Sequence, residues 1–301
     1  MDATEGIRAR IRASWAGLMV GDALGSPAEF CYKRDILRLF PDGLDRMTDG
    51  FVTCTTRKAG VVTDDTDMAV CLQRSLEEAQ GWDPQTALRF YKEWYDTDPP
   101  DIGETIRNAL RGEMNPNSEA NGALMRVAPI AYRAALFPEF DWERAVREDT
   151  CLTHPNRVCI DASLAYVYAL IRLLQAADDA PAVYRSTVEW ARLRRLAEPV
   201  QAWLHEAEHA KPELDDEKLG WVRLAFQCAF WQLLHAPDFK TALVDIVSSG
   251  GDTDTNAAIC GALLGTLYGA KAIPRKWLVM VRANNPRYTV YLPRRSEMAK
   301  A

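Results

Sequence analysis

Apolar positions recur every three to four residues through most of the chain. Over residues 6–20, GIRARIRASWAGLMV, the side chains of Ile7, Ile11, Trp15 and Leu18 fall on one helical face. The runs QTALRFYKEWY, FDWERAVREDTCL, VCIDASLAYVYALIRLLQAA, APAVYRSTVEWARL and KLGWVRLAFQCAFWQLLHA keep the same spacing. Asp83-Pro84 supplies an N-cap followed by Pro at the first helical position. Strand-like alternation is scarce, and FVTCTT at 51–56 is its best example. The pattern predicts a mainly α-helical chain, read as one domain over residues 1–301, with irregular loops and no periodic repeat. After the Asp/Thr run at 252–255 comes a segment that is small and apolar. It carries Gly261, Gly265 and Gly269 at every fourth position and Ala257, Ala258 and Ala262 close by. Such a surface permits close helix packing, at a cost of about 1 kcal/mol per Gly in helix propensity. A buried central helix is expected there.

Composition limits the function classes. With 301 residues, 48% hydrophobic and 26% charged, the chain can build a core without disulfides or a structural metal. The net charge is −6 and no Lys/Arg block stands out, which argues against a dedicated nucleic-acid binder but not against a nucleotide ligand. Seven scattered cysteines without a CxxC pair fit a reducing cytoplasm. The N-terminal MDATEGIRARIRASWAG has no apolar core segment of the signal-peptide kind, and no run reaches the ~18 uncharged apolar residues of a membrane span. A soluble cytoplasmic protein, monomeric by default, is expected.

The loops carry the chemistry. GDALGSPAEF (21–30) is rich in Gly and holds two acids, and GVVTDDTDMAV (60–70) turns from Gly into a dense acidic cluster. Thr63-Asp64-Asp65-Thr66-Asp67 and Asp252-Thr253-Asp254-Thr255 look alike: each follows a glycine turn and opens a helix. Asp and Thr cap helices well, and acids suit the first turn. One cap, however, needs one side chain. Adjacent carboxylates repel unless a positive charge lies between them, and Mg2+ or Mn2+ takes such oxygen ligands. An EF-hand is excluded, because a loop starting at Asp252 has Ala257 and Leu263 where Gly and Glu are required. Any cation site is therefore assembled between segments. A competing motif is His205-Glu206-Ala207-Glu208-His209, a literal HExxH, which on a helix could hold zinc with Glu206 as general base of a metalloprotease. Against it stand the charge of Glu208, the Lys211-Pro212 break and the polar PELDDEKLG surroundings.

Taken in order, GDALGSPAEF, TDDTDM, DIGET, NGALMRVAP, LTHPN and GGDTDTNAAICGALLGTLYG resemble the ADP-ribosylglycohydrolase family over most of the chain. The resemblance implies an all-α, single-domain orthogonal helical bundle with two Mg2+ or Mn2+ ions in a cleft. It implies removal of ADP-ribose from modified protein side chains, with cleavage at C1 of the distal ribose. Carried over by motif, Thr63, Asp64 and Asp65 hold metal from one cluster and Asp252, Asp254 and Thr255 from the other. Glu29 and Asp101 are the implied catalytic acids, and Asp22 is structural support. Asp101 falls where arginine-directed members carry an acid, so an ADP-ribosyl-arginine protein is the expected substrate and ADP-ribose the product. Substrate contacts are expected from Gly103, from Asn121, Gly122, Ala123, Leu124 and Met125 at a helix start facing the diphosphate, and from His154 on the adenosine side. O-linked ADP-ribose on serine or as an ester, modified nucleic acid, and non-catalytic ADP-ribose binding remain as alternatives. The tail after residue 282 is a further candidate for acceptor choice.

Overall fold

The structure, a computed structural model, describes residues 3–50, 57–175, 179–215, 218–294 and 297. The strand expected at 51–56 and Cys54 lie outside the described residues. Fourteen α-helices among the described residues carry the fold: α1 (Ala3–Gly25), α2 (Lys33–Leu39), α3 (Asp64–Glu78), α4 (Pro84–Tyr95), α5 (Glu104–Leu110), α6 (Ala128–Leu136), α7 (Trp142–Cys151), α8 (Arg157–Leu174), α9 (Ala180–Leu193), α10 (Glu198–His209), α11 (Val222–His235), α12 (Phe239–Val247), α13 (Thr253–Tyr268) and α14 (Arg275–Asn284). Side-chain caps explain several starts: Asp83 accepts from Thr86 N–H at 2.7 Å, and Asn156 from Val158 N–H at 3.0 Å.

α13 is the expected central helix, buried at every position from Thr253 to Thr266. Helices α8, α11 and α12 pack around it, and α1 lies antiparallel along it. Backbones touch along that seam. A Cβ on Gly17 would sit 1.9 Å from Gly261 O, one on Gly21 2.0 Å from Ala257 O, and one on Gly265 2.4 Å from Ala13 O. Two expectations need correcting. Gly269 takes no part in the packing; with φ +77° it ends α13. Residues 21–25 of GDALG are not loop but the last turn of α1, because Gly21 and Gly25 are the continuation of its contact surface.

A short antiparallel pair, β1 (Cys31–Tyr32) with β2 (Gly250–Gly251), ties the end of α1 to the start of α13. Phe30 N–H donates to Gly251 O at 2.7 Å. Both glycines have φ +77°, and a Cβ on Gly251 would lie 1.8 Å from Leu214 O. No helix among the described residues is long and apolar enough to cross a membrane.

Candidate metal centre and cleft

The site is assembled from Asp22 outward. This buried carboxylate of α1 accepts from Thr63 N–H at 3.0 and 3.1 Å, from Thr66 N–H at 3.2 Å and from Thr66 Oγ1 at 2.5 Å. It therefore caps α3 from another helix, which is structural support of the kind expected. Burial pushes its carboxyl up to about 6 despite the Thr66 and Thr63 bonds.

Asp22 fixes the first acidic cluster. Thr63 Oγ1 donates to Asp65 Oδ2 at 3.0 Å, and Gly103 N–H donates to Asp64 Oδ2 at 3.3 Å. Asp65 Oδ1 is buried with no hydrogen-bond partner. In the second cluster Asp252 stands at the N-cap of α13 but makes no cap bond; Asn121 Nδ2 donates to it at 2.8 Å instead. Thr255 N–H donates to Asp254 Oδ1 at 3.0 Å. Thr255 Oγ1 reaches Asp65 Oδ2 at 3.4 Å and joins the clusters. Glu29 closes the group: carboxylate oxygens of Glu29, Asp252 and Asp254 lie within 4.8 Å of one another.

So many carboxylates in one buried place cannot all stay charged. Burial, together with the charge of neighbouring acids, raises Asp64, Asp65 and Asp254 well above the usual carboxylate range. Glu29 is pushed up to about 8 by burial, with Arg57 opposing and Asp101 and Asp252 adding.

Arg57, which the sequence did not single out, lies inside this cluster. Its guanidinium meets Glu29 at 2.6 Å, Asp101 at 2.6 Å and Asp254 at 2.9 Å. Burial works against the charge, but the surrounding carboxylates outweigh it and hold Arg57 above the ordinary Arg range. One guanidinium cannot neutralise three acids, so it only partly offsets the burial that keeps Glu29 high.

The cluster floors a cleft of about 500 Å³ lined by Glu29, Asp64, Asp101, Asp252 and Thr255 on the acidic side. Gly103, Asn121, Gly122, Met125 and His154 line the same cleft. Thr63, Asp65 and Asp254 lie beneath the acidic wall, close to those that line it. Phe30, half exposed and with φ +59°, and Leu219 add an apolar rim that the sequence reading missed. The backbone of Phe30 is forced left-handed where Glu29 must turn inward just before β1, and nothing in the residue type announces that.

Several expectations are corrected. Residues 121–126 are a run of turns, not a helix start; α6 begins at Ala128, since the Met125 N–H bond to Asn121 O is not continued into a helix there. Ala123 and Leu124 are buried in the core and stay away from the cleft. Asp67 belongs to the tail: Arg287 reaches it at 3.0 Å, and Tyr288 donates to the same carboxylate. The HExxH residues sit on α10, but His205 and His209 are exposed, Glu206 is paired with Arg223 at 2.8 Å, and among the described residues no third ligand gathers there. The six described cysteines are free thiols.

The family model described as ADP-ribosylglycohydrolase matches residues 3–297. The ADP-ribosyl-[dinitrogen reductase] glycohydrolase of Rhodospirillum rubrum is 30% identical, and the match covers 89% of either chain. The ADP-ribosylarginine hydrolase Tri1 of Pseudomonas putida (strain GB-1) is 26% identical over 90% of this chain and 74% of its own. A solved structure described as an ADP-ribosylglycohydrolase-related protein complex superposes with a TM-score of 0.80 at 26% identity, covering 96% of this chain and 98% of that one.

Proposed function

The chain belongs to the ADP-ribosylglycohydrolase family, and from that premise we propose that it is a metal-dependent hydrolase acting on ADP-ribosyl-arginine in proteins. The bond cleaved is the N-glycosidic bond at C1 of the distal ribose. One observation carries the linkage: Glu29 and Asp101 together grip a planar guanidinium, that of Arg57, at 2.6 Å each. An acceptor arginine presents the same group. The names of the Rhodospirillum and Pseudomonas relatives point the same way.

The donor set suits Mg2+ or Mn2+. It is all oxygen, it crowds carboxylates that a cation would let ionise, and Asp65 Oδ1 is buried without a partner. Thr63, Asp64 and Asp65 would hold one side of a two-ion centre, and Asp252, Asp254 and Thr255 the other. When bound, such ions supply positive charge and orient the vicinal ribose hydroxyls. Cleavage runs through an oxocarbenium-like state, and the departing guanidine must take up a proton. Glu29 and Asp101 flank the guanidinium seat, so either is placed to give that proton. Whichever of the two does not give it would take the proton of the attacking water. Asn121 holds Asp252 in register, and Gly103 holds Asp64. Arg57 pairs with Asp254 at 2.9 Å and so would compete with a cation held there.

The test is incubation with ADP-ribosyl-arginine and ADP-ribosyl-serine, with Mn2+ or with EDTA, following products by mass spectrometry. Release of ADP-ribose from the arginine conjugate, abolished by EDTA and by Asp252→Ala with Asp254→Ala, is expected. Full activity in EDTA would remove the metal from the mechanism, and a preference for the serine conjugate would remove the arginine assignment.

A further inference from the structure

His154 projects from the loop between α7 and α8 into the cleft wall, and its surroundings dictate where its proton sits. Arg126 Nη1 lies 2.9 Å from Thr153 Oγ1. A guanidinium only donates, so the Thr153 hydroxyl accepts there. The same Oγ1 lies 2.7 Å from His154 Nδ1. The hydroxyl could accept twice, but among the described residues Nδ1 is the one acceptor in reach of its own proton, so pairing that proton makes Nδ1 accept. Burial, with the charge of Arg126 adding, pushes the imidazole down to about 3, so the ring is neutral. A neutral ring that accepts at Nδ1 carries its proton at Nε2.

That Nε2 atom is buried and has no partner. It lies beside Gly122 of the cleft wall, where a Cβ would come within 3.2 Å of it. An orphaned buried N–H is destabilising, and the loss is recovered when an acceptor arrives. Arg126 has no freedom to release the chain. Its Nε donates to Asp149 Oδ2 at 3.1 Å, its Nη2 to Asp149 O at 2.9 Å and its Nη1 also to Gly122 O at 3.3 Å. Tyr91 covers its face at 4.8 Å and donates to Asp149 Oδ1 at 2.7 Å.

We propose that Arg126 and Thr153 are positioning residues that fix His154 as its Nε2–H tautomer, making the ring a hydrogen-bond donor to an oxygen of bound ADP-ribose. The donor role rests on the cleft being the ADP-ribose site; the tautomer does not. Gly122 then has a second use, since its missing side chain keeps the Nε2 edge approachable.

The chain has four histidines, so the ring nitrogens of 15N-labelled protein are readily assigned by NMR. The ligand-free protein should show Nε2 of pyrrole type and Nδ1 of pyridine type, and ADP-ribose should shift Nε2. Thr153→Val should mix the tautomers and weaken ADP-ribose binding about three- to tenfold, the worth of one neutral hydrogen bond. Thr153→Ser should restore both. A proton on Nδ1 in the ligand-free wild-type protein overturns the inference and needs no variant to be seen. So does wild-type ADP-ribose affinity in Thr153→Val. Failure of the wild-type protein to bind ADP-ribose by calorimetry overturns the cleft assignment and the donor role with it.

Discussion

Replacing Arg57 by Gln should weaken the metal-free protein and strengthen its hold on metal. The guanidinium pairs with Glu29, Asp101 and Asp254, and its side chain is 20% exposed against 2% for Asp254. Breaking a fully buried ion pair costs about 3–5 kcal/mol; solvent at this site lowers that to about 1–3 kcal/mol. For a chain of this size each kcal/mol moves Tm by about two degrees, so the metal-free variant should melt several degrees early. In manganese the order changes. Wild-type protein can load only from the fraction of molecules in which Arg57 has left Asp254, and its apparent Kd is weakened by that fraction. If the Asp254 contact contributes about 1.4 kcal/mol, Arg57→Gln should bind Mn2+ about tenfold more tightly. Titration calorimetry reads the affinity, and melting with and without Mn2+ reads the stability. Arg57→Lys should fall between the two. Equal Mn2+ affinity in wild type and Arg57→Gln, with unchanged metal-free melting, would refute the competition.

Gly17→Ala should destabilise the fold by more than about 3 kcal/mol, because its Cβ lands 1.9 Å from a backbone oxygen that cannot step aside; Gly103→Ala, whose Cβ meets only Ile106 Cδ1 at 3.9 Å, should melt like wild type. Equal melting of Gly17→Ala and Gly103→Ala would disprove the seam. In the metal-free protein Glu29 holds its proton up to about pH 8, against an ordinary 4.5 when unfolded. The folded state thus binds more protons across that window, and stability falls as pH rises through it, by up to about 1.4 kcal/mol per pH unit. Glu29→Gln should flatten that slope in urea titrations at successive pH values; an unchanged slope would assign it elsewhere. Asp101→Asn should slow release from ADP-ribosyl-arginine by about 10²–10⁴-fold with its circular dichroism unchanged, and full activity would exclude Asp101 from the chemistry.

Helices were legible where one face had to be greasy. The α9 span expected from spacing, 180–193, is the span observed, because Val183, Tyr184, Thr187 and Ala191 fill one buried face. The pairing of TDDT with GGDTDT was legible too, since consecutive carboxylates have few other uses. Arg57 was not, because it reaches acids 28, 44 and 197 positions away in sequence, and nothing local marks an arginine that will fold inward. The turns at 121–126 were misread as helix because small apolar residues suit both, and tertiary contacts decide between them: Asn121 turns to Asp252, and Arg126 to Asp149 and Thr153.

GDALG shows why motif and fold are inseparable here. Its glycines look like loop, yet they are the C-terminal end of the seam that lays α1 against α13. Gly25 meets the start of α13 directly: Thr253 Oγ1 donates to Gly25 O at 2.7 Å, and a Cβ on Gly25 would lie 2.3 Å from Thr253 O. One turn earlier Asp22 caps α3. Three residues beyond the seam Pro27-Ala28 turns the chain so that Glu29 enters the cleft. The same helix end therefore sets the position of Asp64 and Asp65 through Asp22, of Asp252 and Asp254 through Gly21 and Gly25, and of Glu29 through its own continuation. Acids more than 180 residues apart are held in register by the closeness of two backbones, a closeness only glycine allows. The glycine stripe thus helps to shape the acidic cluster, although none of its residues offers a side-chain oxygen. Even a mild widening at Gly21 should loosen Mn2+ binding before it unfolds the chain, because the acids would separate while the apolar core around α13 still holds.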